Sequence, residues 1–141
     1  MISLVKDTIS EDEISQLVEW LKTSPQLTKG KLTEQYEALW SEKIGCKYSV
    51  FVNSGSSANL LMAQVLLEGN YLKNKVVVLP AVSWSTTVSP FLQLGYKIIL
   101  CDCDKDNLGL CTDDLEKICK RYNPGLVLIV NVLGHSNNNK K

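Results

Sequence analysis

The sequence predicts an α/β fold, with a mostly parallel sheet flanked by helices. From residue 48 onward, short apolar segments alternate with segments of helical periodicity, and this alternation is typical of α/β proteins. The apolar segments, such as VVVLP (76–80), lack the polar alternation of a half-exposed strand. We therefore expect strands that are buried on both faces, as in a parallel sheet covered by helices.

Residues 1–47 predict an N-terminal helical segment. Ser10 and Glu13 have the spacing of a capping box, and apolar residues follow at helical spacing until Pro25. A proline cannot continue a helix, so the first helix is expected to end just before it. A second helix is expected after a polar connector and ends at Gly45, a residue type favoured at helix C-termini.

Residues 48–141 predict an α/β domain. Its expected elements, in chain order, are a strand in YSVFVNSG (48–55), a helix over 56–68, a strand over 76–80, a helix over 84–95, a strand over 97–104, a helix that starts at residues 112–114, and a strand over 125–134. The apolar edge left by these four strands would be prone to aggregation unless something covers it.

Charge and hydropathy exclude several classes of protein. The 141 residues are 45% hydrophobic and 21% charged, and 15 Lys and Arg balance 15 Asp and Glu. A chain without net basic charge, and without a basic cluster before its last two residues, is not typical of nucleic-acid binding. No apolar run is long enough to span a bilayer, and the acidic start is unlike a signal peptide. We expect a cytoplasmic protein that binds neither nucleic acids nor membranes.

The five cysteines do not form a recognisable metal motif. Their number is odd and no CxxC pair occurs. Cys101 and Cys103 fall on the same face of a predicted strand, with Cys111 nearby, so a metal site is conceivable. The missing ligand spacing favours buried thiols in a reducing compartment, and we expect no metal site.

The turn NSGSS (53–57) joins a predicted strand to a predicted helix. Helix N-termini bind phosphate well, and Gly55 would let the backbone approach it closely, while Ser56 and Ser57 add hydroxyl donors. The same residues also suit an ordinary helix cap. The strand is not followed by GxGxxG, and the chain contains neither GxxxxGK[ST] nor GxSxG, so a dinucleotide fold, a P-loop and a nucleophile elbow are poorly supported.

The order of the motifs along the chain favours a phosphate-binding turn over an ordinary helix cap. The segments LTKGKLTEQYEALWSEKIGCKYSVFVNSGSSANLLM, VVVLPAVSWSTTVSPFLQLGYKIILCDCDKDNLGLCTDDLEK and LVLIVNVLGHSNN follow one another along the chain. Together they resemble the N-terminal part of the DegT/DnrJ/EryC1/StrS aminotransferases, over residues 9–138. GSSAN and PAVSWSTTV are most similar to the branch with pyridoxamine-dependent sugar 3-dehydratases.

The resemblance implies a truncated fold type I enzyme that uses pyridoxal or pyridoxamine phosphate on nucleotide-linked 4-keto sugars. It makes residues 48–141 a partial cofactor-binding domain. It implies that Gly55, Ser56 and Ser57 bind the cofactor phosphate and that Trp84 stacks on the pyridine ring. The alternative for Trp84 is a core position at the start of a helix. The family also implies a homodimer and a role in lipopolysaccharide or deoxysugar biosynthesis.

The resemblance also implies that catalytic residues are missing from the matched region. In the family, the carboxylate that pairs with the pyridine nitrogen and the Schiff-base lysine, or its histidine replacement, follow that region, as does a small second domain. His135 is displaced from the family position and is expected to be a strand-end or surface residue. Because the Schiff-base residue and the carboxylate are missing from the matched region, no catalytic residue is assigned and the isolated chain is expected to be inactive. Two alternatives remain: a non-catalytic scaffold or complementing fragment that pairs with a full-length or C-terminal partner, and an unrelated phosphate-binding domain.

Overall fold

The computed structural model of the chain describes residues 7–137, which form two compact units, residues 7–51 and residues 52–137. The sequence-based predictions that involve residues 1–6 or 138–141 lie outside the described residues. Within the described part of the chain, no helix combines the length and the apolar character that a bilayer crossing requires.

The first unit contains two helices, α1 (Glu11–Lys22) and α2 (Lys31–Ile44). The capping box is confirmed: Ser10 Oγ accepts the N–H of Glu13 at 3.2 Å, and the N–H of Ser10 donates to Glu13 Oε2 at 2.7 Å. Helix α2 ends where Gly45 adopts a φ of 76°, a left-handed conformation that favours glycine. The start of α1 and the end of α2 therefore follow from the local sequence.

The strand predicted in YSVFVNSG (48–55) is wrong. Residues 48–54 form no strand, and the helix that follows starts already at Gly55. The N–H of Phe51 donates to the Glu37 carboxylate at 2.8 Å, and the Phe51 ring packs edge-on against Tyr36. An apolar alternating segment becomes a strand only beside another strand, and within residues 7–137 none pairs with it.

The second unit alternates helices and strands. Its elements are, in chain order, α3 (Gly55–Glu68), β1 (Val76–Pro80), α4 (Ser85–Gln93), β2 (Lys97–Cys101), α5 (Thr112–Tyr122), β3 (Leu126–Val127) and a short 3-10 helix (Val132–Gly134). The three strands form a parallel sheet in the order β2-β1-β3. The predicted α/β fold with a parallel sheet flanked by helices is confirmed.

The core of this unit lies on both faces of the central strand β1. Val77 and Leu79 pack with Ala63, Phe91 and neighbouring apolar residues on one face. On the other face, Val78 packs with a second cluster that consists of Cys101, Leu110 and Ile118. Successive residues of a strand point to opposite faces, so β1 is buried on both sides, as predicted for a parallel sheet.

Two predicted strands are shorter in the structure than in the prediction. Strand β2 ends at Cys101, and Cys103 forms only an isolated bridge with Leu110. Of the strand predicted over 125–134, only Leu126–Val127 forms a strand, and the N–H groups of Gly125 and Leu128 on either side of it also donate to β1. The outer strand β2 also departs from the prediction of two buried faces, since Leu100 is 54% exposed.

Candidate functional site

The N-terminus of α3 is capped by Ser54. Its Oγ accepts the backbone N–H of Ser57 at 3.1 Å, and its C=O accepts the N–H of Ala58 at 3.0 Å. Among the residues that the structure describes, no hydrogen bond uses the N–H of Gly55 or Ser56. Two N–H donors therefore remain available at the start of a 14-residue helix.

Gly55 leaves the space in front of these donors open. A Cβ built at this position meets no heavy atom within 4 Å, and the backbone does not adopt the left-handed conformation that glycine favours. Neither crowding nor backbone geometry within the described residues requires a glycine here. The space around position 55 is therefore open in the described residues.

The start of α3 faces α4 across a shallow cleft of about 200 Å³. Asn59 Nδ2 donates to the C=O of Thr86 at 3.1 Å and so joins the two helices. Because both helices belong to the unit of residues 52–137, this bond fixes the cleft within one compact body. The residues that line it are Ser56, Ser57, Leu60, Thr86, Ser89, Pro90 and Gln93.

Trp84 lies in the connection that follows β1 and forms the N-cap position of α4. Helix α4 was expected over 84–95 and is observed over Ser85–Gln93, so its predicted start is off by one residue. The C=O of Trp84 accepts the N–H of Thr87 at 2.9 Å, while its side chain is 76% exposed. Within residues 7–137, Trp84 is therefore a surface residue and not part of the core.

The arrangement fits the two parts of a phosphorylated aromatic cofactor. The unpaired N–H groups of Gly55 and Ser56, the Ser56 and Ser57 hydroxyls and the positive end of the helix dipole suit a phosphate dianion. The exposed indole of Trp84 offers a flat surface on which an electron-poor ring can stack. The roles of these four residues in cofactor binding stay predictions.

The acidic side chains near the sheet have structural partners. Asp114 Oδ2 accepts the N–H of Asp102 at 2.9 Å, and Asp104 Oδ1 accepts the N–H of Asp106 at 2.8 Å. Both carboxylates therefore accept backbone N–H groups of the loop that follows β2. His135, the one histidine of the chain, is exposed after the 3-10 helix.

The cysteine cluster considered in the sequence does not form a ligand set in the described residues, where no group of three or more His, Cys, Asp or Glu side chains is placed to hold a metal ion. Cys101 is buried, and burial, together with the charge of Asp114, raises the pKa of its thiol to about 12. It behaves as a small apolar core residue.

Sequence reasoning missed two contributors to the site. Ser54 is the capping residue, whereas the sequence-based prediction named only the serines that follow Gly55. The Ser-x-x-Ser spacing of Ser54 and Ser57 is the signal that could have identified it. Asn59 joins α3 to α4 through a contact 27 residues away along the chain. No local sequence pattern predicts such a contact.

Comparison with known proteins gives a consistent assignment. A sequence model of the DegT/DnrJ/EryC1/StrS aminotransferase family matches residues 8–140. A GDP-4-keto-6-deoxy-D-mannose 3-dehydratase from Yersinia pseudotuberculosis is 36% identical over 137 residues, which are 95% of this chain and 34% of that protein. A protein of the same name from Escherichia coli O55:H7 is 36% identical over 82% of this chain and 30% of its own length.

The fold agrees with a solved structure. An E. coli GDP-4-keto-6-deoxy-D-mannose-3-dehydratase with bound hydrated PLP superposes with a TM-score of 0.74 at 34% identity, over 96% of this chain and 35% of that one. The chain therefore spans about a third of the length of the relatives that it matches.

Proposed function

The chain belongs to the DegT/DnrJ/EryC1/StrS aminotransferase family, and from this premise we propose that it forms the cofactor-phosphate part of a pyridoxal- or pyridoxamine-phosphate enzyme that acts on nucleotide-linked 4-keto sugars. The observation that carries the proposal is the start of α3, where the N–H groups of Gly55 and Ser56 make no hydrogen bond within the described residues and the space around a Cβ at position 55 is open. Residues 48–141 form the proposed partial cofactor-binding domain.

Phosphate binding is proposed for Gly55, Ser56 and Ser57. The N–H groups of the first two are the main donors, and the Ser56 and Ser57 hydroxyls add donors at the same helix end. Ser54 positions the set, because its Oγ ties up the Ser57 N–H and fixes the first turn of α3. The positive end of the helix dipole favours a dianion over a neutral ligand.

Ring binding is proposed for Trp84. Its indole is exposed, and its backbone C=O is held by the first turn of α4, so the side chain starts from a fixed point at the carboxyl end of β1. Stacking of an aromatic ring against a flat ligand contributes about 0.5–1.5 kcal/mol beyond the buried area. This would orient the ring relative to the bound phosphate.

The cofactor, when bound, supplies an electron sink for chemistry beside the sugar keto group. The proposed role of this chain's residues is to bind and orient. The residues that move protons and pair with the pyridine nitrogen are proposed to lie in the part of the relatives that the match does not cover. We propose C-3 dehydration rather than amination, supported by two relatives of 36% identity that carry the 3-dehydratase name.

The wider setting of the enzyme is proposed from the same family assignment. We propose that the complete enzyme is a cytoplasmic homodimer in deoxysugar and lipopolysaccharide biosynthesis. The sugar nucleotide named for the relatives, GDP-4-keto-6-deoxy-D-mannose, is the first substrate to test.

Pyridoxamine phosphate is the best probe of the proposed site. It has no aldehyde, so it does not react with lysines on the surface, and its absorption overlaps tryptophan emission. A chain with Trp20→Phe and Trp40→Phe keeps Trp84 as its one tryptophan reporter. We expect saturable quenching that inorganic phosphate reverses, and much weaker quenching by pyridoxamine, which lacks the phosphate. Equal quenching by both ligands would overturn the phosphate site.

A further inference from the structure

Pro90 lies inside helix α4 and changes the hydrogen bonding of that helix. In a regular α-helix, the C=O of each residue accepts the N–H of the residue four positions later. For Thr86 this partner is residue 90, and a proline has no N–H to donate. The C=O of Thr86 therefore lacks the partner that a regular helix gives it.

Asn59 supplies a replacement donor from the neighbouring helix. Its Nδ2 donates to the C=O of Thr86 at 3.1 Å, and the bond is partly buried. A hydrogen bond is stronger where less water surrounds it, so this contact is a firm link between the two helices. Pro90 thus frees a main-chain acceptor on α4, and α3 places an amide donor against it.

The bond joins the two helix starts that carry the proposed ligand-binding groups. Asn59 lies about one turn after Gly55 in α3, and Thr86 lies two residues after Trp84 in α4. The C=O of Trp84 accepts the N–H of Thr87, so Trp84 belongs to the same helical turn as Thr86. A shift of one helix along the other would therefore change the separation between the α3 donors and the indole.

We propose that Asn59 is a positioning residue that sets the separation between the phosphate donors of α3 and the Trp84 ring, through the carbonyl that Pro90 frees. This role rests on the proposed function, since it requires that both groups bind one ligand. A ligand with a phosphate and an aromatic ring on one frame gains affinity only where both partners lie at the matching separation. A ligand with one of the two groups makes no such demand.

Three probes separate positioning from a general effect on the fold. Pyridoxamine phosphate carries both groups, pyridoxamine carries the ring, and inorganic phosphate, read by its reversal of the quenching, carries the anion. Asn59→Leu removes the donor and keeps a helix-forming side chain of similar size. In the single-tryptophan chain, we expect it to raise the dissociation constant for pyridoxamine phosphate at least about tenfold, and those for the other two probes by less than about threefold. Gln64→Leu is the matched control, because the Gln64 amide donates to Glu68 within α3; it should change none of the three.

A double-mutant cycle tests the link to Pro90 without any ligand. Pro90→Ala gives residue 90 an N–H, so the C=O of Thr86 regains a partner within α4. We expect Asn59→Leu to lower the melting temperature by about 4–8 °C, the effect of one lost hydrogen bond in a unit of 60–100 residues. In the Pro90→Ala chain, the same substitution should lower it by less than about half as much, because the two sites are coupled.

Three results would overturn the role of Asn59 alone: unchanged affinity of Asn59→Leu for pyridoxamine phosphate, an equal loss for all three probes, or a melting shift that Pro90→Ala leaves unchanged. Circular dichroism checks that each variant folds. If Asn59→Leu does not, Asn59→Ala replaces it, since alanine is the best helix former and introduces no new contact. Absence of quenching in the single-tryptophan chain with Asn59 in place would instead overturn the proposed function, and this role with it.

Discussion

Replacing Gly55 by alanine should strengthen the fold and weaken the site. The position is the first residue of α3, its φ is not left-handed, and a Cβ there meets no heavy atom within 4 Å. An alanine therefore fits without a clash. In the proposed site, the same methyl group would lie beside the N–H groups of Gly55 and Ser56 and hinder the close approach of a phosphate. The two effects have opposite signs, which makes the variant informative.

The gain in stability comes from the unfolded chain. Alanine has fewer backbone conformations to lose than glycine, which is worth about 0.4–1 kcal/mol where the folded backbone accepts it. For a unit of 60–100 residues, such a gain raises the melting temperature by about 2–8 °C. A loss of stability would show that the start of α3 differs in solution from the structure.

The loss of binding comes from displacement of the phosphate. A hydrogen bond from a backbone N–H to a charged oxygen contributes about 1.5–3 kcal/mol. Removal of one such bond weakens binding by at least about tenfold. We expect the dissociation constant for pyridoxamine phosphate to rise by this factor in the Gly55→Ala chain, and the affinity for pyridoxamine to stay unchanged.

One set of samples measures both effects. The assay combines thermal unfolding, followed by circular dichroism, with titration of pyridoxamine phosphate against the single-tryptophan chain and its Gly55→Ala variant. Leu61→Ala, on the exposed part of the same helix, is the control for a general effect on α3. Unchanged affinity in a stabilised Gly55→Ala chain would refute close approach of the phosphate to this backbone.

Three further predictions concern the packing that supports the site. Ser54→Ala should lower the free energy of unfolding by about 1 kcal/mol through loss of the α3 cap, whereas Ser54→Asp should restore most of it in urea unfolding. Tyr96→Phe should cost about 1 kcal/mol, because the Tyr96 hydroxyl donates to the buried C=O of Ala63 at 3.0 Å; an unchanged urea midpoint would contradict that bond. The hydrogen bond from the Phe51 N–H lowers the pKa of Glu37 below its ordinary value of 4.5. The stabilisation by this bond is therefore present above pH 4.5 and is lost as the pH falls through the folded-state pKa of Glu37. Glu37→Gln should flatten the acid side of the stability profile, and an unaltered profile would exclude this linkage.

Local sequence predicted the helices well because their signals are local. The capping box at Ser10 and the glycine at position 45 fix the ends of α1 and α2 within a few residues of their own positions. The start of α3 was predicted to within one residue, at position 56 instead of Gly55, and the predicted fold class is confirmed. The position of Trp84 at the start of α4 was predicted to within one residue.

Strand predictions failed where pairing partners decide the outcome. YSVFVNSG and the segment 125–134 both have strand-forming residues, but pairing depends on a neighbour that the segment does not itself contain. For the same reason, the Asn59 contact with Thr86 could not be read from the turn. The residues of the proposed phosphate site were predictable, whereas the contacts that hold them depend on tertiary structure.

The most direct test of the proposed function is an NMR titration of the ¹⁵N-labelled chain with pyridoxamine phosphate. Backbone amide shifts report on each N–H group separately. We predict that Gly55 and Ser56 show the largest changes, that the Trp84 indole N–H shifts with the same dissociation constant, and that Gly55→Ala weakens all three together. Shifts that are absent at Gly55 and Ser56, or that pyridoxamine reproduces without its phosphate, would contradict a phosphate site at the start of α3.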